Sequence, residues 1–192
     1  MSEKRIIEIF TESGALLTGH FKLTSGLHSN RYFQCAMVLQ YPHFAEELCR
    51  IAKTQFAGKE PSAVIAPAVG GIVVGQETAR QLNCRSIFAE RQDGKMVLRR
   101  GFSVQPGDSI LVAEDVVTTG GSVKEVIDLI EGLGASVIGI FAIVDRSGGQ
   151  ADFGAPFVSA MQMEVVAHQP DVCPLCAKGL PLTQPGSGGL QV

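Results

Sequence analysis

Features that define several classes of protein are missing from this chain of 192 residues. No apolar segment approaches the roughly 18 residues that a membrane-spanning helix requires. The first ten residues, MSEKRIIEIF, also lack the layout of a secretory signal peptide. We therefore expect a cytoplasmic protein that has no membrane partner.

Positive charge is scarce as well. The chain has 16 Lys and Arg against 19 Asp and Glu, a formal net charge of -3, and its basic residues do not gather into a long run. Proteins that bind nucleic acid usually carry a basic patch or stripe, because that surface must neutralise phosphate groups. The charge balance therefore argues against a nucleic acid partner.

Disulfide bonds are not expected, because five cysteines are an odd number in a chain too long to be a disulfide scaffold. Cys173 and Cys176 nevertheless form a CxxC, which can supply half of a zinc site, and His168 would be a third ligand. A second CxxC is missing. The sequence favours ordinary reduced thiols and leaves a bound zinc open.

Apolar segments alternate with helical patterns through the middle of the chain. Strands that are apolar on both faces and alternate with helices indicate a parallel sheet covered on both sides, which is an α/β domain. The predicted strands lie at 63–66, 86–91, 110–113 and 136–144, and the predicted helices at 5–10, 42–56, 71–82 and 123–133.

One domain spanning residues 1–192 accounts for the length and for the 45% hydrophobic content. The α/β alternation places its core at about 42–148. Because the alternation is lost on either side, residues 1–41 and 149–182 are expected to form a small cap. The tail, 183–192, is rich in Gly, Pro and Ser, and we expect it to be disordered.

The segment ILVAEDVVTTGGS, residues 110–122, joins a strand to two acids, a Thr/Gly loop and a helix. Free N–H groups at a helix N-terminus favour an anion, and glycines let a phosphate approach closely. The chain contains neither GxxxxGK[ST] nor GxGxxG, so a Walker loop and a dinucleotide site are not predicted. Two acids beside a phosphate site suit a sugar phosphate, bound through its hydroxyls directly or through Mg²⁺. The alternative is a capped helix start with solvated acids.

This segment resembles the phosphoribosyl pyrophosphate (PRPP) motif of the type I phosphoribosyltransferases. Three further segments are similar to those of orotate phosphoribosyltransferases: 21–35 to the base-binding segment, 66–72 to the pyrophosphate loop and 88–102 to the mobile catalytic loop. AIVDRSGG at 142–149 and the late CPLC resemble a short bacterial and archaeal branch. The resemblance covers nearly the whole chain. It implies the type I phosphoribosyltransferase-like fold, a parallel sheet flanked by helices with a small hood from the N- and C-terminal segments.

The resemblance also implies an enzyme, a Mg²⁺-dependent transferase of pyrimidine biosynthesis that converts orotate and PRPP into orotidine 5′-monophosphate and pyrophosphate. It implies a homodimer in which residues 91–100 reach the partner's site. Mg²⁺ would be held mainly by PRPP, with Glu114 and Asp115 nearby. The implied PRPP-binding residues are Val69, Gly70, Gly71, Glu114, Asp115, Thr118, Thr119, Gly120, Gly121 and Ser122. The implied catalytic cations are Arg91, Lys95, Arg99 and Arg100, and the implied orotate-binding residues are Thr24, Tyr32, Phe33, Thr118 and Arg146.

Simpler interpretations exist for several of these residues. Tyr32 and Phe33 could pack in the core, Arg146 could form an ordinary salt bridge, and the four cations could lie on a solvated hairpin. Compared with many relatives, Gly70 replaces a lysine, Glu114 replaces an aspartate, and the loop histidine is missing. Among the histidines, His28 is the one expected to contact ligand.

Two rival functions are a phosphoribosyltransferase for another base and a nucleotide-sensing regulator that binds nucleic acid. Arg146 argues against the first and the net charge against the second.

Overall fold

Helices and strands alternate along the computed structural model, which describes residues 1–23, 25–163 and 166–185. Most of the alternation that the sequence predicts is present, and further elements precede and follow it. In chain order the elements are α1 (Glu3–Glu12), β1 (Leu16–Lys22), β2 (His28–Phe33), α2 (Cys35–Leu39), α3 (Pro42–Gln55), β3 (Ala63–Pro67), α4 (Gly71–Leu82), β4 (Arg85–Gln92), β5 (Lys95–Leu98), β6 (Ser109–Val117), α5 (Gly121–Gly132), β7 (Ser136–Asp145), β8 (Phe157–Gln162), β9 (Ala167–His168), a 3₁₀ turn (Pro170–Val172) and α6 (Pro174–Ala177).

The main sheet has six strands in the order β5-β4-β3-β6-β7-β8. All neighbouring strands are parallel except β5, which pairs antiparallel with β4 at one edge. The four strands predicted from apolar runs occupy the centre, in the order β4-β3-β6-β7. The predicted α/β class is confirmed.

Helices cover both faces of this sheet. Alternate residues of β3 separate the two core layers, because successive side chains of a strand point to opposite faces. Val64 packs in one layer with Leu48 of α3, and Ile65 packs in the other with Val126 and Ile130 of α5. Because both faces are buried, the central strands do not alternate polar and apolar residues.

Strand β6 extends beyond the predicted end at Ala113. Its ladder with β7 continues through the pairs Glu114↔Ala142 and Val117↔Asp145, so both acids belong to the strand. The two charged side chains obscured this continuation in the sequence. Backbone hydrogen bonds hold the strand together whatever the side chains are.

Residues 157–162 correct the predicted cap, because they form β8 and lengthen the main sheet instead. Strand β8 is at the edge and mostly half-buried, and strand β5 at the other edge has four residues. Edge strands are covered on fewer sides than central ones, so they need no continuous apolar run. That is why the sequence pattern missed both.

The two ends of the chain meet in a second, three-stranded sheet in the order β1-β2-β9, which we call the hood. Helix α1 anchors the hood to the core, since Phe10 packs edge-on against Phe33 at 4.7 Å between ring centroids. Thr183 completes the join: its N–H donates to the His20 carbonyl at 2.9 Å, and its carbonyl accepts from the Lys22 N–H at 2.8 Å. Residues 186–192 of the predicted disordered tail lie outside the described residues.

Among the described residues, none of the helices combines the length and the apolar character that crossing a bilayer demands.

Candidate functional site

Three loops converge at the carboxyl ends of β3, β6 and β7, as the strand order requires. The Arg146 N–H, just after β7, donates to the Val117 carbonyl at the end of β6, at 2.8 Å. A Cβ atom added to Gly70, after β3, would lie 2.5 Å from Asp115 Oδ2 of β6. Ligands of open α/β sheets bind at this edge. These contacts bring the loops after β3, β6 and β7 to one site.

Residues 118–122 comprise the loop after β6 and the first two residues of α5, and we call this segment the cradle. It lines a cavity of about 60 Å³, enough for one small anion, since a water molecule occupies about 30 Å³. Gly120 has φ of +77°, and a Cβ there would lie 2.8 Å from the Phe153 ring, so this position requires glycine. No side chain caps the N-terminus of α5, which leaves its first N–H groups facing the cavity.

Glu114 and Asp115 differ sharply in environment although they are neighbours. Glu114 is only 7% exposed, and Asp115 is half-buried. Glu114 Oε1 accepts the Asp115 N–H at 3.1 Å, and Asp115 Oδ1 accepts the Val116 N–H at 2.8 Å. Burial first, and then the adjacent Asp115 charge, raise the pKa of Glu114 from its ordinary 4.5 to about 9. Glu114 therefore holds a proton at neutral pH in the free protein.

The loop after β3 makes room for these acids. Gly70 and Gly71 face them directly: a Cβ on Gly71 would lie 3.0 Å from Glu114 Oε1, and one on Gly70 would collide with Asp115. The glycine found here in place of a lysine thus matches the close approach of Asp115. Val69, 81% exposed, offers its backbone rather than a packed side chain to the site.

Arg146 is half-buried beside the cradle. Its Nε is buried and has no hydrogen-bond partner among the described residues. Burial lowers the pKa of this guanidinium, and the nearby Tyr32 acts in the opposite direction, so the structure brings Tyr32 and Arg146 together. An arginine stays cationic in proteins. Arg146 is therefore a half-buried cation with a buried, unused Nε donor.

Asp145 also lies at the site, although it is not among the residues predicted to bind ligand. It is 3% exposed, and its Oδ1 accepts the Ser147 N–H at 2.8 Å, which shapes the turn that carries Arg146. A cavity of about 350 Å³ opens here and is lined by Asp145, Gly148, Gly149, Gln162 and Met163. The sequence does carry a signal for this residue, since Asp145 is an acid at the end of an otherwise apolar strand.

Two predicted contacts change. Phe33 belongs to the hydrophobic core, since it is buried against Phe10, so it does not face the site with Tyr32. Because adjacent residues of a strand point to opposite faces, only one of these two side chains can contact a ligand. His28 is buried in the hood beside His20 rather than in the site. Thr24 lies outside the described residues.

The four predicted cations lie on the hairpin of β4 and β5 or just after it, and all are exposed. Two of them already have partners in their own chain: Arg91 pairs with Glu125 at 2.8 Å, and Arg100 pairs with Glu90 at 2.8 Å. Lys95 and Arg99 form no ion pair among the residues that the structure describes. The hairpin arrangement supports Lys95 and Arg99 as the more available cations.

Comparison with known proteins gives concordant results. A family model described as "Phosphoribosyl transferase domain" matches residues 36–170. Curated orotate phosphoribosyltransferases from Desulforamulus reducens and Chlorobium phaeobacteroides are 52% and 55% identical to the chain, over 97% and 99% of its length and 98% of each relative. A crystal structure of orotate phosphoribosyltransferase from Aeropyrum pernix superposes with a TM-score of 0.70 at 24% identity, covering 82% of this chain and 93% of that one. The fold implied by the sequence resemblance is confirmed.

Stability should fall as pH rises, because of Glu114. Between its ordinary pKa of 4.5 and about 9 in the folded state, the folded protein binds more protons than the unfolded chain. The free energy of unfolding therefore decreases with pH across this interval. Glu114→Gln lacks the titrating group, so its Tm relative to wild type should rise from about pH 5 to about pH 8.5.

Thermal melts at both pH values measure this difference. Glu131→Gln, which changes an exposed carboxylate of α5, is the matched control and should track wild type. Parallel Tm curves for Glu114→Gln and wild type would contradict a raised pKa at Glu114.

Proposed function

The chain belongs to the phosphoribosyltransferase family and, within it, to the orotate phosphoribosyltransferases, and on that basis we propose that it transfers the phosphoribosyl group of PRPP to orotate. The products are orotidine 5′-monophosphate and pyrophosphate, as in the synthesis of pyrimidine nucleotides. Relatives that match nearly end to end at about half identity support the base as well as the fold.

The environment of Arg146 is the observation that most supports orotate as the base. Orotate is a flat ring with a carboxylate, and a buried guanidinium with an unused Nε donor beside the cradle complements that carboxylate. A hydrogen bond between two charged groups contributes about 1.5 to 3 kcal/mol. Tyr32, close to Arg146, offers the ring a contact from the hood side.

The cradle and the acid pair suit the two polar parts of PRPP. The N-terminus of α5 and the hydroxyls of Thr118, Thr119 and Ser122 would bind the 5-phosphate. Glu114 and Asp115, adjacent residues near the end of β6, would accept hydrogen bonds from the ribose hydroxyls. The backbone of residues 69–71 would face the pyrophosphate.

Magnesium fits this donor set, because carboxylate oxygens are among the ligands that Mg²⁺ takes in proteins. Asp115 and, once deprotonated, Glu114 would lie near a Mg²⁺ held mainly by PRPP. The ion would neutralise charge on the pyrophosphate as it leaves. The protein's own contribution is to orient the ribose.

Departure of pyrophosphate leaves positive charge on the anomeric carbon of the ribose and several negative charges on the leaving group. Cations placed near the leaving group stabilise that charge separation. Lys95 and Arg99, exposed on the edge hairpin, are available to a second subunit, while Arg91 and Arg100 are held by acids of their own chain. We propose a homodimer in which each hairpin completes the site of its partner. Closure over the site would also exclude water.

An assay of purified protein with PRPP, Mg²⁺ and a panel of bases tests the reaction. Loss of orotate absorbance should be seen, with no nucleotide formed from adenine, guanine, hypoxanthine or uracil. Product formation with a purine and none with orotate would make the chain a phosphoribosyltransferase for another base. PRPP binding without turnover of any base would favour a nucleotide-sensing regulator.

Arg146→Ala should impair orotate far more than PRPP, since the cradle is a separate structure. Loss of about 1.5 to 3 kcal/mol corresponds to a rise of about 10- to 150-fold in KM for orotate. KM for PRPP should change little. Arg85→Ala is the control, because Arg85 begins β4 at the opposite end of the sheet and pairs there with Asp108. Equal losses for both substrates would return Arg146 to a structural role.

Subunit mixing tests the shared site. A Lys95→Ala, Arg99→Ala variant and a Glu114→Gln, Asp115→Asn variant should each be nearly inactive. Refolded together, they should regain about a quarter of wild-type activity, since half of the dimers are mixed and each mixed dimer has one intact site. Mixing without refolding serves as the control. If mixed dimers form and no activity returns, the hairpin acts within its own subunit.

A further inference from the structure

Four metal-binding side chains meet in the hood, away from the residues of the candidate site. They are His20 of β1, His28 of β2, and Cys173 and Cys176 at the start of α6. One ligand atom from each lies within 4.8 Å of all the others. His20, His28 and Cys173 are 4%, 5% and 2% exposed, so three of the four are withdrawn from water.

Distances between these atoms match the edges of a tetrahedron around zinc. Zn–N bonds of about 2.05 Å and Zn–S bonds of about 2.3 Å place two nitrogens about 3.3 Å apart and a nitrogen and a sulfur about 3.6 Å apart. The His20 Nε2 to His28 Nδ1 distance is 3.1 Å. Nitrogen to sulfur distances are 3.7 Å from Cys173 to His20, 3.7 Å from Cys176 to His20 and 3.3 Å from Cys176 to His28.

The protonation of His20 also suits a metal. Its Nδ1 lies 2.9 Å from the Leu180 carbonyl oxygen, which can only accept a hydrogen bond. Nδ1 therefore carries the proton, and in the neutral ring the lone pair of Nε2 points at the cluster. A backbone carbonyl that orients a histidine in this way is typical of zinc ligands.

We propose that His20, His28, Cys173 and Cys176 bind one structural Zn²⁺. Two thiols and two imidazoles form the Cys₂His₂ set that closes a tetrahedral zinc site, whereas Mg²⁺ prefers oxygen ligands. On binding, each cysteine gives up its thiol proton to solvent and coordinates as the thiolate. Four protein ligands leave no open position for substrate, so the ion is structural and not catalytic.

The role of the ion follows from what it connects. His20 and Cys173 are 153 residues apart, and the segment carrying the cysteines is held otherwise by short elements: β9 of two residues, a 3₁₀ turn of three and α6 of four. Elements of this length bury little apolar surface. A metal that joins the cysteines to β1 and β2 therefore clamps the C-terminal segment onto the hood.

His168, the possible third ligand that the sequence offered, is not a ligand in this assignment. It lies on β9 opposite His28 in the ladder, and it is not among the four clustered ligands. His168 is closer to the cysteines in the sequence, and it lies on β9, which pairs with β2 beside the cluster. The two histidine ligands, His20 and His28, come instead from the N-terminal part of the chain.

Metal analysis of protein made without a polyhistidine tag, in medium that contains zinc, tests the proposal. Wild type should contain about one zinc per chain. Cys176→Ser and His20→Ala should reduce the zinc content by at least about tenfold. Cys84→Ser and His168→Ala are matched controls outside the cluster and should retain the metal.

A second measurement does not depend on variants that fold. Zinc should be removed from wild type by a chelator, with a fall in Tm of several degrees, and Tm should recover when Zn²⁺ is added back. Co²⁺ in its place should give the absorption bands of a tetrahedral site with thiolate ligands. Wild type that takes up no stoichiometric Zn²⁺ or Co²⁺, or control variants that lose the metal equally, would overturn the site. None of these readouts uses enzymatic activity, so failure here leaves the proposed reaction untouched.

Discussion

The parallel pairing of β6 with β3 on one side and β7 on the other is the constraint on which the rest of the structure depends. Because parallel strands end at the same edge, this pairing carries the loop after β3, the acids of β6 and Arg146 after β7 to one place. It also extends β6 past its apolar run, since the ladder with β7 continues to Val117. A carboxyl group thereby enters the sheet, and burial gives Glu114 its raised pKa.

Three unfavourable polar arrangements meet at this edge. The N-terminus of α5 has no side-chain cap, Arg146 has a buried Nε without a partner among the described residues, and Glu114 is buried beside a second acid. Each arrangement costs free energy in the free protein. A phosphate would suit the N-terminus of α5, a carboxylate would suit Arg146, and the hydroxyls of a sugar would suit the two acids. PRPP and orotate together would supply all of these groups. Glycines at 70, 71 and 120 keep the approach open.

The hood has a different structural role, because it joins the N-terminal and C-terminal parts of the chain. Packing of Phe10 on Phe33 and the pairing of Thr183 with β1 secure its base. Its outer end consists of short elements with little core of their own, and there the histidines and cysteines cluster. Tyr32 and His28 belong to the same strand of the hood, β2.

The sequence by itself determined the central strands, their helices and the cradle, because apolar periodicity and the chemistry of a Thr/Gly turn are local properties of the chain. It also located Arg146 and the acid pair. Only the tertiary structure decided that β5 and β8 join the sheet, that Glu114 is buried, and that Tyr32 faces the site while Phe33 faces the core. It likewise brought His20 and His28 to cysteines some 150 positions away. These outcomes depend on which distant elements cover a residue, and no local pattern encodes that.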